Sequence, residues 1–375
     1  MAYNIGDSSV GDMTLISIAS PMIDEASIAA VVDVLKSGML VQGDRVEQFE
    51  RNFASYIGTK YAVAVNSGTA ALHAALLALG ISSGDEVITT PFSFIASANS
   101  ILFCGAKPVF IDIDERTFNI DTRLIEEKIT PRTKAILVVH LYGQPCDMKE
   151  IIKLCNKHNL MLVEDACQAH GAEYEGTRVG SFGTGCFSFY ATKNMSTAEG
   201  GMITTSDRVI AQKVRMIRSH GQTKKYHHES IGYNYRMNEA SAALGICALE
   251  RLDEYNALRS QNASILSSRI GEIKGVTIPF VMTGIKHAFH QFTIRVVREF
   301  GITRNELQQQ LMEKGIGSAI HYPIPIHKQK VYQNLGYSDH LPVSEKAAEE
   351  VLSLPIHQSL SKEDLDYIAS AIENI

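Results

Sequence analysis

Lys193 is the residue whose surroundings most clearly indicate chemistry. The run Phe187–Tyr190 precedes it, and small or hydroxylated residues and a Gly-Gly pair follow it. An apolar environment disfavours the ammonium form, so we expect the pKa of this amine to be low. A neutral amine is the nucleophile that condenses with an aldehyde to form a Schiff base. A buried structural lysine would give the same pattern, and these neighbours alone do not separate the two hypotheses.

A candidate phosphate site lies at Ser67, Gly68 and Thr69, between a predicted strand and a predicted helix. Glycine lets the backbone approach a ligand, hydroxyls donate hydrogen bonds, and a helix N-terminus adds free N–H groups. Serine and threonine are also ordinary helix N-caps, so both interpretations stay open. The chain has neither G-x-x-x-x-G-K-[ST] nor G-x-G-x-x-G, which argues against ATP and dinucleotides. Ser188 is a further candidate phosphate donor.

Asp165 is a carboxylate at the end of an apolar strand. Burying it is costly unless a cation pairs with it, and a protonated pyridine nitrogen is such a cation. A ring that keeps this proton is an effective electron sink for a carbanion. Gln168 would reach a ring oxygen if the turn after Asp165 is helical. Asp165 could instead be a helix N-cap. An aromatic residue in Thr90–Ser97 could stack on the same ring, or belong to the core.

These residues require a sheet that brings strand ends together. Short apolar segments predict strands at 61–65, 86–89, 108–113, 134–139, 160–164, 185–189, 202–205, 291–297 and 317–320. Helices are predicted at 68–79, 94–104, 121–128, 147–158, 238–262, 304–314, 344–352 and 362–372, and amphipathic helix within the first 57 residues, with Ile28, Val31, Val32 and Leu35 on one face. This alternation predicts an α/β fold with a largely parallel sheet covered on both faces.

The pattern changes near residue 240, which predicts two domains. Residues 1–250 would form N-terminal helices and a large three-layer domain, and residues 251–375 a smaller α+β domain. In an open α/β sheet, ligands bind at the carboxyl ends of the strands. The candidate residues of the large domain should therefore meet at one edge of its sheet.

Composition excludes several classes of protein. The net charge of −6 argues against general nucleic-acid binding, which needs a basic surface. No apolar run reaches the length of a membrane span, and no secretory signal is evident, so we expect no membrane partner. The six cysteines include no C-x-x-C pair, and we predict no metal site. A reduced, cytoplasmic enzyme fits these observations.

The chain resembles the sugar aminotransferases of the DegT/DnrJ/StrS type, a branch of the fold-type I pyridoxal phosphate enzymes related to aspartate aminotransferase. The resemblance covers nearly the whole length, and its motifs are Asn66–Leu72, Glu164–Ala166, Phe187–Phe189 with Lys193, Glu199–Gly201, Gly232–Met237 and His321–Pro323. It implies a mostly parallel mixed sheet in an αβα large domain.

The resemblance also implies roles for particular residues. Lys193 would form the Schiff base with pyridoxal 5′-phosphate, and Asp165 would pair with the pyridine nitrogen. The other implied contacts are Gln168 to the ring hydroxyl, Phe94 on the ring face, and Gly68, Thr69 and Ser188 at the phosphate. Asn234 would reach the phosphate of the neighbouring subunit, which implies a homodimer with shared active sites. Family members that deoxygenate sugars carry histidine in place of this lysine, so Lys193 favours amino transfer.

The substrate implied by the resemblance is a nucleotide-linked hexose with a 3-keto or 4-keto group. The segments around His321, Tyr322 and His327, and around Tyr226, resemble those of members that act on 3-keto sugars, and members acting on 4-keto sugars have similar segments. These four residues are candidate substrate contacts, while His321 and His327 could instead pack beside the loop prolines.

The predicted reaction is a ping-pong transamination with an amino acid, L-glutamate by resemblance, as the donor. One alternative is a pyridoxal phosphate-dependent sugar dehydratase or lyase. Another is a cofactor-binding regulatory protein without turnover. A nicotinamide-dependent dehydrogenase is disfavoured because the glycine fingerprint is missing.

Overall fold

The structure is a computed structural model, and it describes residues 15–375. The α-helices are α1 (Glu25–Ser37), α2 (Asp44–Ile57), α3 (Gly68–Ala78), α4 (Ala96–Phe103), α5 (Met148–His158), α6 (Arg208–Arg218), α7 (Glu239–Ile270), α8 (Arg304–Glu313), α9 (Lys330–Asn334), α10 (Pro342–Glu350) and α11 (Lys362–Glu373). The strands are β1 (Tyr61–Val65), β2 (Glu86–Thr89), β3 (Lys107–Phe110), β4 (Thr133–Val139), β5 (Met161–Asp165), β6 (Glu173–Tyr174), β7 (Thr177–Arg178), β8 (Thr184–Ser188), β9 (Gly201–Thr205), β10 (Gln222–Lys224), β11 (His227–His228), β12 (Val276–Thr277), β13 (Ile285–Lys286), β14 (Phe292–Val296) and β15 (Val351–Leu354).

A seven-stranded sheet in the order β1-β9-β8-β5-β4-β2-β3 forms the centre of the molecule. The pairs β8–β5, β5–β4, β4–β2 and β2–β3 are parallel, whereas β9 is antiparallel to both of its neighbours. The predicted α/β class with a mostly parallel sheet is confirmed. The carboxyl ends of β5 and β8 lie side by side because Asp165 pairs with Cys186.

Apolar side chains cover both faces of this sheet. Alternation along β1 sends Val63 and Val65 into the core under α3 and α6, and Ala62 and Ala64 into the core under α2 and α7. A third cluster joins β2 and β4 to α5. The helix α3 is buried along most of its length, so its N-terminus is held rigidly against the sheet. The result is the predicted three-layer arrangement.

Three predicted elements differ from the structure. The predicted helix at 121–128 is two 3₁₀ turns, Thr122–Leu124 and Glu126–Lys128, and the Asp121 carboxylate caps the first by accepting from the backbone N–H of Arg123. The predicted strand at 317–320 contributes a single bridge, Ala319 to Ser353. The predicted helix at 344–352 ends at Glu350, since the next four residues pair with β14 as strand β15.

The predicted helix of the first 57 residues is two helices, α1 and α2, in the part of the chain that the structure describes; residues 1–14 lie outside it. Gly38 has φ 70° and ends α1 in the left-handed conformation. Three residues of the predicted apolar face, Ile28, Val32 and Leu35, are exposed on this chain. The amphipathic pattern is therefore present, but its apolar side is not buried within one copy.

A second core surrounds the three-stranded sheet β12-β14-β15, where the second half of α7 packs with α8 and α11. The predicted boundary at residues 250/251 falls inside α7, which continues through it. Ile16 also pairs with Ile316, so the chain before α1 contacts this second unit. The division into 1–250 and 251–375 stays a prediction.

A buried ion pair ties α2 and α6 to β1. The Glu50 carboxylate, 7% exposed, accepts hydrogen bonds from the backbone N–H of Ala64 and from the Arg218 guanidinium. The same guanidinium donates to the Ala64 carbonyl. Ala64 lies three residues before Ser67, so this pair holds the strand that leads into the candidate phosphate site.

Glu50→Gln should lower the free energy of unfolding by about 3 kcal/mol, because it leaves the Arg218 charge buried without a counter-charge. Glu47→Gln is the matched control, since Glu47 pairs with Arg51 at 3.7 Å on the exposed side of the same helix. We expect that control to lose about 0.5 kcal/mol or less. Urea unfolding followed by circular dichroism measures both. Equal losses in the two variants would contradict the assignment.

Candidate active site

A cavity of about 680 Å³ opens at the carboxyl ends of β5 and β8 and the N-terminus of α3. It is lined by most of the residues that the sequence predicted: Ser67, Gly68, Thr69, Phe94, Asp165, Gln168, Ser188, Lys193, His321 and Tyr322. These residues come from segments more than two hundred positions apart in sequence. Their placement around one cavity is the arrangement expected for a ligand site in an open α/β sheet.

Lys193 lies in the loop between β8 and β9. Its backbone N–H donates to the Tyr190 carbonyl at 2.9 Å, and its amine faces the cavity. Burial lowers the pKa of the amine from its ordinary value of 10.5, and the nearby Cys167 and Asp165 only partly oppose this shift. The amine therefore has the desolvated surroundings that the sequence predicted, and more of it is in the nucleophilic neutral form at a given pH.

Asp165 ends β5 with its side chain 5% exposed. One carboxylate oxygen accepts from the Ser97 hydroxyl at 2.7 Å, and the other accepts from the backbone N–H of Cys167 at 3.2 Å. Ser97 in turn bonds to Ser93 at 2.9 Å. Neutral donors orient the carboxylate but leave its charge uncompensated. A cationic ring nitrogen in the cavity would supply the missing charge.

The start of α3 packs closely on the end of β8. A Cβ on Gly68 would lie 2.6 Å from Ser188 Cβ, and one on Gly201 would lie 2.3 Å from the Ser67 carbonyl oxygen. The Ser67 hydroxyl caps α3 by accepting from the Ala70 N–H at 3.1 Å. The N-cap and the phosphate-site interpretations therefore hold together: the cap begins the helix whose free N–H groups face the cavity.

Gln168 is held at both ends of its amide. Its oxygen accepts from the Tyr142 backbone N–H at 2.9 Å, and its nitrogen donates to the Tyr322 hydroxyl at 3.0 Å. The amide nitrogen therefore faces the cavity side with one hydrogen left to donate. Phe94, 57% exposed, lies at the mouth with its ring 6.3 Å from that of Tyr322. Both positions suit contacts to a planar ring bound between them.

Three predicted site residues do not line this cavity. The side chain of His327 is buried, and its Nε2 bonds to the Glu345 carboxylate at 3.1 Å, so its contact with a substrate stays a prediction. Tyr226 is 78% exposed on the β10–β11 hairpin. Asn234 is also exposed, and its carbonyl accepts from Asn66. Tyr226 was predicted as a substrate contact and Asn234 as a contact to the phosphate of the neighbouring subunit, and both stay predictions.

Sequence reasoning missed several polar residues of the cavity wall: Ser93, Ser97, Tyr190, Glu199, His290 and Gln291. The two serines were within reach, since they follow β2 at the same sheet edge as Asp165. His290 and Gln291 carry no local signal, because long-range backbone hydrogen bonds hold their segment, from the Gln291 N–H to the Tyr142 carbonyl and from the Ala288 N–H to the Gly143 carbonyl. No cluster of side chains suited to a metal ion occurs among residues 15–375. No helix in that range is long and apolar enough to cross a membrane.

The residues present fit pyridoxal phosphate. A desolvated amine, a buried carboxylate held by neutral hydrogen-bond donors, a helix N-terminus too tightly packed for a Cβ, and an exposed aromatic ring surround one cavity. They match the aldehyde, the ring nitrogen, the phosphate and the ring face of that cofactor. Together with the sheet order, they define a pyridoxal phosphate-dependent enzyme of fold type I.

The chain belongs to the DegT/DnrJ/EryC1/StrS aminotransferase family, whose model matches residues 21–373. It is 42% identical over 366 residues to a "Pleiotropic regulatory protein" of Geobacillus stearothermophilus, covering 94% of this chain and 97% of that one. It is 40% identical over 371 residues to the GDP-perosamine synthase of Caulobacter vibrioides, covering 98% and 100%. The solved structure of S. venezuelae DesV with a ketimine intermediate superposes with a TM-score of 0.89 at 40% identity, covering 93% of each chain.

Gly68→Ala should weaken cofactor binding by roughly tenfold, because the added Cβ forces α3 away from Ser188. The double variant Gly68→Ala with Ser188→Gly removes the contact between the two Cβ atoms, and Ser188→Gly alone is the matched control for the loss of the Ser188 hydroxyl. Titration of the apoenzyme with pyridoxal phosphate, followed by absorbance, gives the dissociation constants. If the single variant binds as tightly as the wild type, the close packing is not required for the phosphate.

The rate at which pyridoxal phosphate attaches to the apoenzyme should rise with pH at a midpoint below 10.5, the ordinary lysine pKa. Burial lowers the pKa of Lys193, and only the neutral amine attacks the aldehyde. Asp165→Asn should shift the midpoint further down, since the Asp165 charge raises the pKa of this amine. Stopped-flow absorbance against pH, with N-acetyl-lysine amide as reference, measures both. A midpoint at or above that of the reference would contradict the burial argument.

Proposed function

We propose that this aminotransferase moves an amino group from L-glutamate to the keto group of a nucleotide-linked hexose, by a ping-pong mechanism. The observation that carries the proposal is the cavity in which the desolvated amine of Lys193 and the buried carboxylate of Asp165 meet. The names of the similar GDP-perosamine synthase and DesV proteins support a sugar as the acceptor. The keto group is at C3 or C4 of the hexose.

Bound pyridoxal phosphate supplies the electron sink that makes a proton on the α-carbon of the donor removable. Asp165, oriented by Ser97, keeps the ring nitrogen protonated. The start of α3 and Ser188 hold the phosphate, and the Gln168 amide nitrogen donates to the ring oxygen. Lys193 Nζ would remove the α-proton of the donor as a general base and deliver it, as a general acid, to the carbon that carries the aldehyde of the cofactor. Its lowered pKa suits both roles.

We also propose that the protein is a homodimer with active sites shared between two copies, and that Asn234 and Tyr226 act in the partner's site. The exposed apolar residues of α1 and the segment after it support this: Ile28, Val32, Leu35, Met39, Leu40 and Val41. Several large apolar residues exposed within one short stretch of chain are typical of an interface. Six free cysteines agree with a reducing, cytoplasmic location.

A regulatory function without turnover is a second candidate, since one similar protein is named a pleiotropic regulatory protein. That name gives a regulatory role for the similar protein and says nothing about a chemical reaction. A dehydratase or lyase with the same cofactor is disfavoured by Lys193, which family members that deoxygenate sugars replace with histidine.

Wild-type holoenzyme mixed with L-glutamate should release about one equivalent of 2-oxoglutarate per site and stop, because a ping-pong enzyme cannot turn over without its second substrate. Adding 3-keto and 4-keto hexoses linked to UDP, GDP or dTDP should restart release for one of them, with the amino sugar detected by mass. Lys193→Ala should lose the absorption of the lysine-bound cofactor and at least about a thousandfold in rate. A regulatory protein would release nothing, and a lyase would consume the sugar without 2-oxoglutarate.

A further inference from the structure

His290 is a cavity residue whose hydrogen-bonding state follows from its neighbours. It is 5% exposed, and it lies beside Gln291 on the wall that precedes β14. Behind it, Asn194 and Asn256 form a buried chain of side-chain amides, 3% and 2% exposed. Asn194 directly follows Lys193, so this chain links the reactive loop to the wall.

Backbone carbonyls fix the orientation of both amides. The Asn194 nitrogen donates to the Ala288 carbonyl at 2.8 Å and to the Asn256 oxygen at 2.8 Å. The Asn256 nitrogen donates to the His170 carbonyl at 2.8 Å. Because a carbonyl only accepts, neither amide can be rotated end for end without losing a buried hydrogen bond.

The orientation of Asn194 decides the tautomer of His290. With both Asn194 N–H groups in use, its remaining oxygen faces His290 Nδ1 at 3.2 Å. This oxygen accepts only, so Nδ1 must carry the hydrogen. Burial, together with the nearby cations Lys193 and Arg259, holds the pKa of His290 well below its ordinary value. The ring is therefore neutral at physiological pH.

A neutral ring with hydrogen on Nδ1 presents a lone pair at Nε2. The Gln291 amide nitrogen lies 3.5 Å from this atom, which is the limit of a hydrogen bond. The cavity wall thus presents an acceptor, His290 Nε2, that has only a weak hydrogen bond, next to the side-chain amide of Gln291. This pairing suits a ligand group that both donates and accepts, which is what a hydroxyl does.

The two substrates of the proposed reaction differ in the hydrogen-bonding groups that they can offer to His290 Nε2. The carboxylates of glutamate only accept hydrogen bonds, so the Nε2 lone pair would repel them, and the donor's amine is taken up at the cofactor. A hexose carries several hydroxyls. We propose that His290 Nε2 accepts a hydrogen bond from a hydroxyl of the keto hexose, and that Asn194 is the positioning residue that fixes the tautomer. This inference rests on the proposed function and adds a specificity residue to it.

Two substitutions separate the two nitrogens of the ring. His290→Asn keeps an amide N–H near the position of Nδ1 and removes Nε2. His290→Gln extends an amide oxygen toward the position of Nε2 and gives up the bond to Asn194. The two half-reactions of the holoenzyme are then measured separately by stopped-flow absorbance, with L-glutamate in one and the keto sugar nucleotide that the wild type converts best in the other.

His290→Asn should lower kcat/KM for the sugar about fivefold more than kcat/KM for glutamate, the effect of one neutral hydrogen bond. His290→Gln should recover part of that difference. Equal losses in both half-reactions would overturn the proposal, because they indicate that His290 only supports the Lys193 loop. The absence of any loss would overturn it as well.

The tautomer is tested without turnover by ¹⁵N NMR of the holoenzyme labelled at histidine, with His290→Asn to assign the signals. We expect the neutral ring with hydrogen on Nδ1 between pH 6 and 8. An imidazolium, or hydrogen on Nε2, would overturn the proposal while leaving the proposed function intact. A wild type that performs neither half-reaction would overturn both.

Discussion

The free-energy cost of burying charged groups constrains how Asp165 and Lys193 can be arranged in this site. Asp165 must stay ionised to hold a protonated ring nitrogen, yet it lies 5% exposed at the end of a strand. Its hydrogen bonds come from Ser97 on α4 and from the turn that follows β5. The amine of Lys193 shares the cavity and has the opposite requirement, because burial must make it neutral. Burial in a low dielectric favours the neutral amine but disfavours the ionised carboxylate. Both groups can therefore share the cavity only if the cationic nitrogen of the bound ring pairs with Asp165.

The positions of the main strands were predictable because each is a short apolar run ended by polar residues. The fold places such ends at one edge, so Asp165, Ser188 and the start of α3 were found from sequence alone. The helix predicted at 121–128 is two 3₁₀ turns in the structure, although Asp121 caps the first of them as it would cap an α-helix. The strand predicted at 317–320 failed because a bridge to Ser353 is all the pairing it has.

The part of the site that sequence did not reveal comes from distant segments. His290 and Gln291 reach the cavity through the second sheet, and their role depends on amides contributed by the reactive loop and by α7. His327 lies in a segment that the sequence singled out, but its side chain is buried, does not line the cavity and bonds to Glu345. Local patterns identify residues that touch a ligand directly, but not those whose orientation depends on buried polar partners.

Strand β9 runs against its neighbours, and this reversal has a consequence for how the chain can vary. Ser188 at the end of β8 pairs with Gly201 at the start of β9, and Phe189 N–H bonds to the Gly200 carbonyl. The segment that carries Lys193 is thus a loop closed at its base, and Ser188, the proposed phosphate donor, lies outside it. A change in loop length would leave the sheet intact but move the amine relative to the phosphate. Within a dozen residues, the pairing of β8 with β9 therefore constrains the fold, and the length of the loop between them constrains the position of the amine.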